Sequence, residues 1–178
     1  MLARRGGLVV KLWYVLAAGL LAGCSGGLSR TVAGSQDEIR ARVEGNSEQL
    51  YLADQVVGAT HWSEPQADGL IWHFALNNVD YAQYRIVLDQ RSDGTRVTAR
   101  FAEVGQSAEP AIPYLRDSAR IVSEQVLLAG LEQRPLDLAA VKRGLIANSA
   151  HNPLGIVGVQ QQYWQEAANI TQSNGSEF

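Results

Sequence analysis

Two mirrored aromatic–imidazole pairs are the first residues whose types and spacing suggest chemistry. Both pairs lie at equal distances from Ala67: His61–Trp62 and Trp72–His73. In a hairpin that is symmetric about this alanine, the two tryptophans oppose each other on one face and the two histidines on the other. Facing imidazoles are candidate metal ligands, with Glu64 or Asp68 as a third ligand.

The aromatic face of the same hairpin is a candidate ligand-binding platform, formed by Trp62, Trp72 and Phe74. A plainer interpretation places the three aromatic rings in the hydrophobic core and leaves His61 and His73 as half-exposed strand residues. We favour the plainer interpretation, because the loop between the strands is long and the register is an assumption. We therefore predict no metal and no cofactor.

Three arginines, Arg85, Arg96 and Arg100, fall on the polar side of a second predicted hairpin. A guanidinium group binds phosphate and carboxylate through paired hydrogen bonds. This side is therefore a candidate surface for anionic lipid headgroups or for the acidic patch of a partner. Asp89 lies among the arginines and weakens their field, and the alternative is the solvated face of a one-sided antiparallel sheet.

Nucleophilic and acid–base motifs give no candidate catalytic residue. No S-x-x-K motif occurs, and Ser149 is too close to His151 along the chain to define a triad. The paired carboxylates Asp37 and Glu38 fit the first turn of a helix, where the helix dipole favours negative charge. We predict a function without catalysis.

Composition excludes several further classes. The chain has 178 residues, 46% of them hydrophobic and 19% charged, which is typical of one globular domain. Its single cysteine excludes a disulfide framework and a cysteine-based zinc site. With 15 basic against 18 acidic residues, the chain is a poor nucleic-acid binder, and we predict no nucleic-acid partner.

The N-terminal segment has the form of a secretory signal. Arg4, Arg5 and Lys11 are the only charges before Cys24, and the apolar stretch 12–23 follows them. A membrane-spanning helix needs about 20 residues, so the stretch is too short for a permanent anchor.

Residues Leu21-Ala22-Gly23-Cys24 resemble the lipobox of bacterial lipoproteins. The resemblance implies a signal peptide over 1–23, cleavage before Cys24, diacylglycerol on its thiol and a further acyl chain, typically palmitate, on the freed amine. Two or three acyl chains anchor a protein stably in a membrane, where one does not. The alternative is an ordinary signal peptide cleaved after Ala18 or Ala22, which leaves a soluble periplasmic protein.

Ser25 bears on the compartment. In the enterobacterial sorting pattern an aspartate after the cysteine retains a lipoprotein in the inner membrane, so Ser25 implies the periplasmic face of the outer membrane. The small, polar residues that follow predict a flexible tether over 24–34.

A capping box at Ser35 and Glu38 predicts a short helix over 36–44. Four strands are predicted over 55–62, 70–76, 81–89 and 95–104. Asp93-Gly94 favours a type I′ turn between the last two strands, so that Ile86 faces Phe101 and Leu88 faces Ala99. The apolar residues of both strands then share one face, and Tyr81 joins the arginines on the other.

An apolar stripe at helical spacing predicts the main helix over 111–130, with Gly130 as its end. A shorter helix follows Pro135, with Leu138, Val141 and Leu145 on its packed side. Residues 156–168 are predicted to be helical, and 169–178 form a disordered tail.

These elements predict one α+β domain over 35–168, in which the main helix packs on one face of a four-stranded antiparallel meander and further helices follow. The element order and Gly94–Thr98 resemble helix-grip, or START-like, domains. We expect a lipid-anchored cell-envelope protein that acts by interaction with an envelope partner. The alternatives are a START-like carrier that binds a lipid or small apolar ligand between sheet and main helix, and an envelope hydrolase.

Overall fold

The computed structural model describes residues 27–54, 58–105, 111–155 and 157. It confirms the predicted α+β class, with helices on one face of an antiparallel sheet. Residues 1–23, Cys24 and the predicted tail 169–178 lie outside the described residues. The elements are β1 Leu28–Val32, α1 Gln36–Glu44, a 3₁₀ helix Ser47–Ala53, β2 Ala59–Gln66, β3 Gly69–Leu76, β4 Val79–Arg91, β5 Gly94–Glu103, α2 Ile112–Glu132 and α3 Leu138–His151.

The sheet has five strands in the order β1-β5-β4-β3-β2. Its inner face forms one core with α1, the 3₁₀ helix and α2, and α3 packs on α2 through the buried Asn148, which donates to the carbonyl of Tyr114 and to Ser118 Oγ. We call the opposite side the outer face. No element in the described part of the chain belongs to a core on that side.

Helix α1 begins as predicted. The Oγ of Ser35 accepts a hydrogen bond from the backbone nitrogen of Glu38 at 3.3 Å, and the Glu38 carboxylate accepts one from the backbone nitrogen of Ser35 at 2.8 Å. Both halves of the capping box are therefore present, and two backbone donors at the helix start are satisfied.

Strand β1, which we did not predict, occupies part of the predicted tether. We expected 24–34 to be flexible, but Leu28–Val32 pairs along β5 as the edge strand β1. The guanidinium of Arg30 reaches across to the carboxylate of Glu132 at the end of α2. Pairing with the open edge of β5 gives these residues backbone hydrogen bonds that their weak apolar pattern does not predict.

The first hairpin is shifted by one residue from the predicted register. Trp62 lies opposite His73, because the turn consists of Ala67 and Asp68 alone and β2 continues through Pro65. Proline is tolerated there because β2 is an edge strand. The side chain of Arg40 fixes the turn, since it donates to carbonyl oxygens on both sides of it, those of Gln66, Ala67 and Gly69.

The second hairpin is shifted by two residues, so Ile86 lies opposite Ala99 instead of Phe101. The loop residues are Ser92 and Asp93, and Gly94 belongs to β5 with φ +139°. A Cβ on Gly94 would lie 2.4 Å from the carbonyl oxygen of Val32, so only glycine admits β1 there. A shift of two residues keeps the side chains of both strands on their predicted faces, with the exception of Tyr81.

Tyr81 is the exception to that facing. We predicted it on the polar side, but it is buried, with its ring 6.4 Å from that of Phe74. The pairing of β3 with β4 shifts between Phe74 and Ala75, and such a bulge turns the extra residue to the other face.

Helix α2 confirms the main predicted helix and continues beyond its predicted end. Gly130 does not end the helix, which closes at Gln133 in a left-handed conformation with φ +51°. Gly130 instead permits close packing on α1, because a Cβ there would lie 3.1 Å from the carbonyl oxygen of Arg42.

Helix α3 also forms, with Asp137 as its N-cap. Leu138 is exposed, although we predicted it on the packed side with Val141 and Leu145. Most of the predicted helix 156–168 lies outside the described residues.

The contact between Arg30 and Glu132 predicts a pH dependence of stability. Hydrogen bonds from Arg134 and then from Arg30 hold the pKa of Glu132 below its ordinary value of 4.5. The stabilisation is therefore present above that value and is lost as the pH falls through the lowered pKa. We expect Glu132→Gln to lose less of its thermal stability than the wild type between about pH 5 and about pH 3. Equal losses in parallel thermal scans would contradict this role.

Candidate functional site

An indole stacked on an imidazole marks the outer face. The rings of Trp62 on β2 and His73 on β3 lie 4.6 Å apart at an interplanar angle of 7°. The pair exists because the observed register places these two residues directly opposite each other. Trp62 is 43% exposed and covers His73, which is 7% exposed.

Both ring nitrogens of His73 face carboxylates. Nδ1 lies 3.0 Å from Oδ2 of Asp80, and Nε2 lies 3.0 Å from Oε2 of Glu64. A neutral imidazole has one N–H, so both contacts are hydrogen bonds to ionised carboxylates only when the ring carries two protons. We call Trp62, Glu64, His73 and Asp80 the His73 cluster.

Three strands supply this cluster, and each contributes an outward-facing position. Trp62 and Glu64 lie two residues apart on the same face of β2, His73 lies on β3, and Asp80 is the second residue of β4, beside the bulge. The sequence indicated Glu64 only as a third metal ligand, and nothing indicated Asp80. The sequence did contain one signal of this cluster, which is a set of polar residues at alternating positions beside an aromatic residue.

The three predicted arginines also lie on the outer face, on strands β4 and β5. Arg85 and Arg100 are directly opposite each other on β4 and β5. Arg85 contacts Asp68 at 3.3 Å, and Arg96 donates to Ser29 on β1. Two cations in one cross-strand pair repel each other, and Asp68 offsets the charge of Arg85.

The candidate platform of Trp62, Trp72 and Phe74 is not formed. The favoured interpretation, with all three rings in the core, is right for Trp72 and Phe74 and wrong for Trp62. Trp72 and Phe74 are fully buried on the inner face, while Trp62 lies on the outer face. Trp72 stacks with Tyr84 at 5.8 Å, and burial, the largest cause, raises the pKa of Tyr84. The one-residue shift of register separates the two tryptophans, since neighbouring positions on a strand face opposite sides.

The two histidines are separated in the same way. His61 lies opposite Phe74 on the inner side, and its Nδ1 is 2.6 Å from Oδ2 of Asp54. The predicted facing of His61 and His73 is therefore wrong. Within 27–54, 58–105, 111–155 and 157, no group of three or more histidine, cysteine, aspartate or glutamate residues has the arrangement of a metal site.

Asp54 and Tyr81 lie close together on the inner face of the sheet. The Oδ1 of Asp54 and the hydroxyl of Tyr81 are buried without a hydrogen-bond partner. Burial and then the Asp54 charge raise the pKa of Tyr81, which stays protonated.

A carboxylate on Nδ1 orients an imidazole as in general-base catalysis, but the contacts described for His61 and His73 include no hydroxyl or thiol nucleophile.

None of the described helices is long and apolar enough to span a bilayer. We compared the chain with protein-family models, with curated proteins and with solved structures, and no match was found. The helix-grip resemblance therefore stays a prediction.

Proposed function

We propose that this chain is a lipid-anchored protein of the cell envelope that binds a protein partner through the outer face of its sheet. The anchor is Cys24, which we place on the periplasmic side of the outer membrane. The proposal for the anchor rests on the lipobox and on the signal-like segment before it. The proposal for binding rests on the outer face.

The single observation that carries the binding proposal is the ordered His73 cluster on a face that no element in the described part of the chain covers. Burying an imidazole between two carboxylates under an indole costs desolvation and side-chain entropy. A sheet face that only meets water needs none of these groups. Exposed tryptophan and arginine are the residues that most often dominate the binding energy of protein interfaces.

The charges of the outer face favour a protein partner over a uniformly anionic surface. The outer face carries both signs of charge: Glu64 on β2 and Asp80 on β4 contact His73, and Asp89 on β4 lies opposite Arg96 on β5. A partner with the reverse pattern would be attracted in one orientation, since complementary charges set both the association rate and the register of a complex.

The inner face does not favour the carrier alternative. Trp72 and Phe74 of the sheet and Leu115, Ala119 and Val122 of α2 have no solvent-accessible area. Side chains without accessible area line no space that admits even a water molecule, whereas ligand pockets enclose several hundred cubic ångströms.

Site-specific photo-cross-linking in cells tests the binding proposal. A photoreactive residue at Thr98 or Arg100 on the outer face is expected to give discrete cross-linked products, and Trp62→Ala in the same chain is expected to reduce them several-fold. The control position is Lys142 on α3, near the exposed Leu138 and Ile146. Products from Lys142 and none from the outer face would move the binding surface to α3 and overturn the proposal.

A further inference from the structure

One ring nitrogen of His73 has both a hydrogen-bond acceptor and a hydrogen-bond donor within reach. Its Nδ1 lies 3.0 Å from Oδ2 of Asp80 and 3.4 Å from Nε2 of Gln83. A protonated Nδ1 donates to the carboxylate, whereas an unprotonated Nδ1 accepts from the amide. The same nitrogen can therefore be satisfied in two ways, and the presence of its proton selects between them.

The other ring nitrogen has a single partner in the described part of the chain. Nε2 lies 3.0 Å from Oε2 of Glu64, and Oε1 of the same carboxylate accepts a hydrogen bond from Gln66 at 2.6 Å. No described donor is placed to replace a proton on Nε2, whereas Gln83 is so placed at Nδ1. When the ring of His73 carries one proton, that proton is therefore on Nε2.

No second cation replaces the charged imidazole between the two carboxylates. No described element packs over the outer face, so the ionisable groups beside His73 are those of β2 and β4. Among the described residues, Glu64 and Asp80 form ion pairs with His73 alone. Arg85 on β4 contacts Asp68 instead. Loss of the proton on Nδ1 therefore leaves Asp80 facing a lone pair, which repels its carboxylate.

The two hydrogen bonds also fix the plane on which Trp62 stacks. Asp80 and Glu64 hold the imidazole at two points of its rim, so the ring cannot turn while both bonds are present. The indole lies on this ring, with 4.6 Å between the centroids. An aromatic anchor that is already held in place loses less conformational entropy when a partner binds. The doubly protonated ring therefore prepares Trp62 for binding.

We propose that the proton on Nδ1 of His73 regulates the binding of the protein partner at the outer face. The inference rests on the proposed function of that face. With the proton, Asp80 and Glu64 fix the ring and the partner binds. When the proton passes to water, Gln83 donates to Nδ1, Asp80 turns to solvent and binding weakens.

Nuclear magnetic resonance of the full protein, extracted with detergent and labelled with ¹⁵N histidine, tests the two states of the ring. The chemical shift of each ring nitrogen reports whether it carries a proton, and His73→Gln identifies the signals. We expect protons on both nitrogens at about pH 5 and on Nε2 alone at about pH 8, the two ends of the range in which histidines change charge. A ring that keeps both protons, or that loses the proton on Nε2, overturns the inference whatever the partner does.

Photo-cross-linking from position Arg100 in isolated membranes tests the effect on binding. We expect a several-fold larger yield of cross-linked products at about pH 5 than at about pH 8. Asp80→Asn is expected to make the two yields equal, because an amide accepts from a protonated Nδ1 and donates to an unprotonated one. The matched control is Asp89→Asn, which makes the same change on the same strand beside Arg91. It is expected to keep the difference.

The outcomes separate the regulation from the binding itself. Equal yields of products at the two pH values in the wild type overturn the regulation and leave the proposed binding intact. A difference that persists in Asp80→Asn places the titrating group outside the His73 cluster and also overturns the inference. No product at either pH overturns the proposed binding and its regulation together, and the resonance measurement still decides whether the ring has the two states.

Discussion

Trp72→Ala is expected to lower the free energy of unfolding by about 3–5 kcal/mol. The indole is fully buried between the sheet and α2 and stacks with Tyr84 at 5.8 Å. Its removal leaves a cavity that the surrounding strands cannot close, because each is fixed by hydrogen bonds to its neighbours. Urea denaturation followed by far-UV circular dichroism measures the loss.

Trp62→Ala is the matched control for this substitution. Its indole is 43% exposed on the outer face and loses one stacking contact, so we expect a loss of about 0.5–1.5 kcal/mol. Equal losses for the two variants, or a larger loss for Trp62→Ala, would contradict the placement of the two tryptophans on opposite faces.

Cys24→Ala is expected to move the protein from the membrane fraction to the soluble fraction of the envelope. Each buried methylene of an acyl chain contributes about 0.8 kcal/mol, so a palmitoyl chain contributes on the order of 10 kcal/mol to membrane binding. Fractionation after labelling with palmitate measures the change, and the label itself is expected to disappear.

Ser25→Ala is the control, since it changes the neighbouring residue and leaves the thiol. It is expected to keep both the label and the membrane association. Thermal unfolding of Cys24→Ala is expected to match the wild type, because Cys24 precedes the first strand. Equal palmitate labelling of Cys24→Ala and the wild type would rule out acylation at this cysteine.

Local patterns were sufficient for α1, α2 and α3 and for the facing of β4 and β5 except at Tyr81, but they did not indicate the 3₁₀ helix Ser47–Ala53. The capping box at Ser35 and Glu38 is visible in four consecutive residues and forms as predicted. The alternation in β4 and β5 gives the correct faces for Ile86 and Leu88, even though the register is two residues away from the prediction. An even shift preserves facing, so facing is the more robust inference.

Features that depend on distant parts of the chain were not predictable in the same way. Strand β1 has little apolar alternation, and its position depends on the open edge of β5, on Gly94 and on Glu132. The turn at Ala67 and Asp68 depends on Arg40 of α1. A single-sequence pattern contains no information about such partners.

The candidate site illustrates the same limit. The mirrored spacing singled out His61, Trp62, Trp72 and His73. The one-residue shift of register gives each of them a different cross-strand partner from the predicted one. Trp72 lies in the core, as the plainer interpretation predicted, whereas Trp62 lies on the outer face opposite His73 and His61 lies on the inner side. The contribution of Asp80 depends on the bulge in β4, which no local residue pattern indicated.

Intact mass spectrometry of the native protein, extracted from the membranes of its own cells, tests the lipid anchor most directly. The account predicts a polypeptide whose first residue is Cys24 and whose mass exceeds that of residues 24–178 by a diacylglyceryl group, with or without a further acyl chain. A polypeptide that begins at another residue, with Cys24 absent or its sulfur unmodified, would contradict the account.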